Sequence, residues 1–156
     1  MQFGFVIASI VKVEENNGYG LELNIHDLYK KNIITTTGLQ IMASRRASDA
    51  PSGRLFSHIA YGTGTTLAEA ISNSALETEI YRVALDNWFA SGATMYGAHR
   101  LVATDIGAGS YGISEIGLYD ASGGGNLIAR QLFDSVATIT GAERIDVLWG
   151  IVDQNE

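Results

Sequence analysis

The sequence predicts a mainly β fold, an antiparallel β-sandwich or barrel with one short helix. Three observations carry that expectation. Eighteen glycines against a single proline punctuate apolar runs of about five to ten residues, the spacing of strands and turns. Tyr19 to Ile25 alternates strictly, with Tyr19, Leu21, Leu23 and Ile25 on one face and Gly20, Glu22 and Asn24 on the other, which is the two-residue period of a strand. Ile145 to Val152 is apolar on both faces, as a central strand covered on both sides would be.

The elements follow in order. Phe3 to Val13 is rich in Phe, Val and Ile and reads as a strand. Asn16-Asn17-Gly18 is a hairpin turn signal, since Asn and Gly tolerate positive φ. From Ile33 to Ala47 the apolar spacing lengthens to that of a helix of two to three turns, with Thr35, Thr36 or Thr37 as its cap. Ser48 to Arg54 is a loop. Phe56 to Tyr61 is a short strand ending in GTGTT. Leu67 to Leu76 contains helix formers, but Ser72, Asn73 and Ser74 weaken a long helix, because short polar side chains compete for backbone hydrogen bonds. An irregular connection is expected there. Extended segments follow at Glu79 to Ala90, Thr94 to Thr104, Ile113 to Tyr119, Leu127 to Phe133 and Ile145 to Val152. No repeat of 20–50 residues is visible, which disfavours a solenoid or propeller. Residues 1–30 are expected to form an N-terminal strand or hairpin, a candidate assembly arm, and residues 31–156 the sandwich domain.

The 156 residues suit one domain. Charged residues are only 17%, below the roughly 25% of an average soluble domain, so much of the surface is neutral. A formal net charge of −7 argues against nucleic acid and anionic membrane as partners, since both require a basic footprint. The absence of cysteine excludes disulfides and thiolate metal sites. The apolar N-terminus lacks the flanks of a signal peptide and the roughly 20 apolar residues of a membrane-spanning helix.

Chemistry-bearing patterns are sparse. GTGTT (Gly62 to Thr66) lacks the third glycine or the lysine of a phosphate-binding loop and reads as a turn. His26, His58 and His99 show no metal-ligand spacing, and no GxSxG nucleophile elbow is present. No cofactor is expected. Glu77 with Glu79, and Asp105 with Glu115, are the nearest approach to paired acids. Glu115 stands in an apolar strand, where an unpaired charge would be costly. Arg82 (IYRVAL) and Arg130 (LIARQLF) stand in similar frames. An internal ion pair is expected, with Arg82 and Glu115 as the favoured partners. Trp88 and Phe89 are adjacent on a strand, so one enters the core and the other faces outward. Phe3, Phe5, Trp88 and Phe89 are the candidate assembly contacts. Tyr96, Tyr111 and Trp88 also admit a carbohydrate-binding role.

The order of several short pieces resembles a group of tailed-phage virion proteins, which includes domains of tail- and collar-fibre proteins and stand-alone particle proteins. The pieces are Asn32-Ile33-Ile34-Thr35 with Gly38, HIAYGTGTT, LETEIYR (Leu76 to Arg82), ISEIGLYD (Ile113 to Asp120), GNLIARQLF and IDVLWGI. The resemblance implies a non-enzymatic, β-structured virion building block, commonly a homotrimer, located in the virion and assembled in the host cytoplasm. Its partners would be copies of itself and either the major capsid protein or tail and baseplate proteins. Without a long shaft or receptor-binding tip, a head-decoration (cement) role is favoured over a tail-fibre, collar or baseplate fitting. The N-terminal hairpin lies outside the resembling pattern and is the part expected to be specific to one particle.

Overall fold

A computed structural model describes residues 2–15, 21–46 and 55–153. The chain is mainly β and antiparallel, in two layers. Its strands are β1 (Gln2–Glu15), β2 (Leu21–Ile34), β3 (His58–Gly62), β4 (Glu79–Ala84), β5 (Asn87–Ser91), β6 (Thr94–Val102), β7 (Ser110–Tyr119), β8 (Leu127–Thr140) and β9 (Arg144–Asp153). Helix α1 (Thr36–Arg46) follows β2, and a four-residue helical turn, α2 (Ala103–Ile106), follows β6. One layer runs β4-β3-β7-β8 and the other β2-β1-β9-β6-β5. They join where Ile33 and Ile34 of β2 pair with Arg130 and Ala129 of β8.

The core lies between the layers. Ile59, Tyr61, Ile113, Ile116 and Leu118 from one meet Leu101, Ile145, Val147, Trp149 and Ile151 from the other. At roughly 1.5–3 kcal/mol per fully buried large apolar side chain, this cluster is the main source of stability. In β9 the odd-numbered residues from Ile145 to Ile151 are buried, and β1 and β6 flank the strand on either side. The expected central strand is therefore central.

Helix α1 begins where Thr35 turns the chain off β2. The buried Thr35 hydroxyl accepts a hydrogen bond from the Gly38 amide at 3.0 Å, an N-cap that satisfies one of the orphan donors of the first turn. The same hydroxyl is within donating distance of the Leu127 and Ile128 carbonyls of β8. Of the three candidate threonines, Thr35 is the cap.

Three expectations are corrected. The N-terminal hairpin is not a separate arm: β1 pairs with β9 from Gln2 to Val11 and with β2 on its other edge, so it is an interior strand of one layer. The Asn16-Asn17-Gly18 turn lies outside the described residues. The strand expected to reach Thr104 ends at Val102, where the Asp105 carboxylate accepts the Val102 amide at 2.9 Å. The continuous extended run from Glu79 to Ala90 breaks at Leu85 and Asp86, which hand the chain from one layer to the other.

One buried titratable contact bridges the layers. The Tyr61 hydroxyl of β3 lies 2.8 Å from Nδ1 of His99 in β6. Burial holds the His99 imidazole below its usual pKa of 6.5 and pushes the Tyr61 phenol well above 10. A base whose folded pKa is depressed contributes stability that is complete above its unfolded pKa and lost as pH falls through the folded one. The melting temperature is therefore expected to fall as pH drops below about 6.5. His99→Gln should flatten that slope in a series of thermal melts. The flattening will be partial, because His58, held low by partial burial and by Arg82, acts with the same sign.

Candidate functional site

The outer face of the β4-β3-β7-β8 layer carries a row of residues opposite one another: Arg82, Ala60, Gly117 and Arg130. One rung along stand Gly62 and Glu115, with Leu132 beyond. On an ordinary sandwich this face would be wet. Here residues 63–78, the connection between β3 and β4, fold back over it. Leu76 from this connection packs with Ala60, Tyr119 and Leu127 in a second apolar cluster. The cover leaves Glu115 and Arg130 with no exposed side-chain surface.

Those two residues are the ion pair. Arg130 Nε and Nη2 both donate to Glu115 Oε2, at 3.0 and 2.8 Å. Glu115 also accepts the backbone amides of Gly64 (3.2 Å), Glu77 (3.1 Å) and Thr78 (2.8 Å). The remaining guanidinium nitrogen, Nη1, donates to the carbonyls of Leu67 and Ala68 and to Asn73 Oδ1. The pair thus serves as a surrogate strand for a connection that has no ladder of its own. A buried charge is tolerable when its remaining hydrogen-bonding capacity is met in this way.

The favoured partner, Arg82, is not the one used. It lies two strands from Glu115, roughly 10 Å at about 4.8 Å per strand, whereas Arg130 is on the adjacent strand. Arg82 instead binds Glu79 through Nε at 2.9 Å, caps Tyr119 at 3.5 Å from the ring centre, and donates to the carbonyls of Ala121 and Gly124.

Two further carboxylates hold the connection. Glu77 accepts the amides of Thr66 and Leu67 at 2.9 and 2.8 Å, and the Thr66 hydroxyl. These donors hold its pKa below the usual carboxylate value. Glu69 accepts the Leu132 amide and, at 2.8 Å, Nε2 of Gln131. It does so beside residues 133–136, where the pairing of β8 with β7 breaks and resumes in another register. Ser114 Oγ donates to the Gly64 carbonyl at 2.7 Å.

Within GTGTT, Gly62 ends β3, residues 63–66 are irregular, and the Glu115 carboxylate sits at the Gly64 amide. The carboxylates of Glu69, Glu77, Glu79 and Glu115 are all engaged with donors of the chain itself. No cluster of three or more metal-ligating side chains occurs among the described residues, and no helix among them is long and apolar enough to cross a membrane. Sequence reading weighed Arg130 but ranked it second, and missed the roles of Glu69, Glu77 and Asn73. The available signal was a run of acids and small residues with too few apolar positions to make its own core.

Of the candidate assembly contacts, Trp88 is half-buried and packs against the core. Phe89 is exposed and stacks on Tyr96 with centroids 4.7 Å apart and planes 13° off parallel. Phe3 and Phe5 stand opposite Val152 and Gly150 in the β1–β9 ladder; their side chains lie outside the described residues. Phe89→Ser is expected to change stability by less than about 1 kcal/mol, as for a surface site, and urea titration checks it.

Beside Phe89 the outer face of the other layer holds an open groove of about 530 Å³, lined by Asp86, Asn87, Ala98, His99, Arg100, Asp146, Val147 and Leu148. Arg100 Nε donates to Asp146 at 2.8 Å, its backbone amide donates to Asp86 at 2.8 Å, and Arg144 Nε donates to Asp146 at 3.2 Å.

Comparison with models of protein families, with curated proteins and with solved structures finds no match.

Proposed function

We propose that this protein is a non-enzymatic structural component of a tailed-phage particle, acting as a head-decoration (cement) protein. One observation supports the reading above others: five of the six pieces of the resemblance fall on one structural unit, the sixth, IDVLWGI, being part of β9 in the other layer. Thr35 and Gly38 start helix α1 against β8, GTGT and LETE bracket the covering connection, EIGLYD supplies Glu115 and Tyr119, and LIAR supplies Arg130. Those five pieces together build one self-satisfied tertiary device. Its acids are spent on holding backbone, which fits a building block better than a catalyst.

The mechanism is mass action. A protein that binds the assembled shell and not its dissociated parts shifts the balance toward the shell. The low charge suits contacts that are apolar and neutral. The partners are copies of the chain, as a homotrimer, and the major capsid protein. A second reading, a tail-fibre, collar or baseplate attachment module, draws on the same pieces, since in longer fibre proteins such a domain sits at the particle-attaching end.

Electron microscopy of particles carrying a labelled copy separates the two. Label spread over the head supports decoration, and label confined to the tail supports attachment. A chain that is strictly monomeric by solution mass and absent from purified particles would sink both.

A further inference from the structure

We propose that the groove on the β5-β6-β9 face is a binding site for neutral, hydroxyl-rich ligands, that is, short saccharides. Its volume of about 530 Å³ lies within the range of small-molecule sites, roughly 300–1,000 Å³. It spans three adjacent strands, a width of about 10 Å.

The lining has the two kinds of surface that a sugar ring presents in complement. Ala98 and Leu148, opposite one another in the β6–β9 ladder, give an apolar strip for the C–H faces of a ring. Asp86, Asn87, Arg100 and Asp146 give donors and acceptors around it. One rung further along the β5–β6 ladder, Phe89 stands opposite Tyr96. Phe89 is 45% exposed, and its near-parallel stack on Tyr96 fixes an apolar wall at low entropic cost.

The polar groups are held in place before any ligand arrives. The Arg100 guanidinium is fixed by Asp146, the Asp86 carboxylate by the Arg100 backbone amide, and Asp146 also by Arg144. His99 offers the groove no side-chain group, because its imidazole faces inward and is held between the layers by the Tyr61 hydroxyl. Preorganised groups lose less entropy on binding, which is how a shallow site gains affinity.

Charge selects the class. Asp86 and Asp146 are balanced by Arg100 and by Arg144, which lies against Asp146, so no excess cation selects a phosphate or acidic sugar, and the −7 of the whole chain disfavours one. A purely apolar ligand would strip water from these charged groups and give no hydrogen bond in return. A neutral polyol meets neither penalty. This site is independent of the virion reading: a decoration protein can lack it, and a protein outside any particle can have it.

The experiment is a titration of the full chain with neutral oligosaccharides of two to four rings at millimolar concentration, followed by amide chemical shifts. Shifts should concentrate at Asn87, Arg100 and Leu148. Asn87→Ala and Asp86→Asn should each weaken binding at least tenfold, with the melting temperature unchanged, while Thr138→Ala on the other layer leaves binding intact. The proposal is overturned if no neutral sugar shifts these amides, if binding survives both groove variants, or if anionic sugars bind more tightly than neutral ones at low salt. Should a groove variant fold poorly, the shift map of the wild-type chain decides alone.

Discussion

Glu115→Ala is expected to destabilise the protein by about 3–5 kcal/mol, the cost of leaving a buried partner charge uncompensated. Equilibrium urea unfolding measures it. The loss should be of that size because Arg130 would remain fully buried without its carboxylate, and because the amides of Gly64, Glu77 and Thr78 would lose their acceptor together. Replacing both members by apolar residues often restores stability when a buried pair serves only itself. Here it should not. An Arg130→Met, Glu115→Leu double variant would orphan the backbone donors of the covering connection and the carbonyls of Leu67 and Ala68 as well. A double-mutant cycle should give a coupling of at least about 1 kcal/mol for Glu115 with Arg130 and additivity within about 0.5 kcal/mol for Glu115 with Arg82. A double apolar variant as stable as the wild type would show that the pair does not hold residues 63–78.

The second large effect is at Gly38. By helix propensity alone, Gly38→Ala in α1 should stabilise by about 1 kcal/mol. The packing reverses the sign. A Cβ at this position would lie 2.3 Å from the Ile128 carbonyl oxygen of β8, and backbone cannot swing aside as a flexible side chain can. A net loss of about 1–3 kcal/mol is expected, in the range for overpacking, with the Thr35 contacts to Leu127 and Ile128 disturbed alongside. Gly123→Ala is the control. Its Cβ would meet nothing within 4 Å, so thermal melts should place it within about 0.5 kcal/mol of wild type. A stabilised Gly38→Ala would mean that α1 can move off β8 at little cost.

Much of the fold was legible because it rests on short-range pattern. Alternation marked the N-terminal strands, glycine spacing marked the turns, and two apolar faces marked β9 as central. The irregular run from Leu67 to Leu76 was legible as irregular, since its serines and Asn73 oppose a helix. What it does was not legible. Its long-range hydrogen bonds include those to Tyr119 and Arg130, which are 52 and 63 residues beyond Leu67, and no local period reports such contacts. The choice of Arg82 failed for the same reason. Both arginines stand in apolar frames, and only strand order separates them: β8 is next to β7, while β4 lies beyond β3. The hairpin looked like an appendage because it falls outside the resembling pattern, yet ladder position is set by pairing, and β1 found β9. Helical turn α2 left no signal beyond Asp105, too short to generate a period.

The pairing of β1 with β9 has a kinetic consequence. Val11 is matched to Arg144 and Gln2 to Asp153, so β1, once made, waits for β9. At about 5–20 residues per second of synthesis, that wait is roughly seven to thirty seconds. During it, both edges of the β1–β2 hairpin lack their distant partners, whereas β3 and β4 can already meet. The nascent chain should therefore protect amides of β3, β4 and β7 before those of β1 that face β9. The hairpin's unsatisfied edge is the part of this protein most in need of shelter while it is being made.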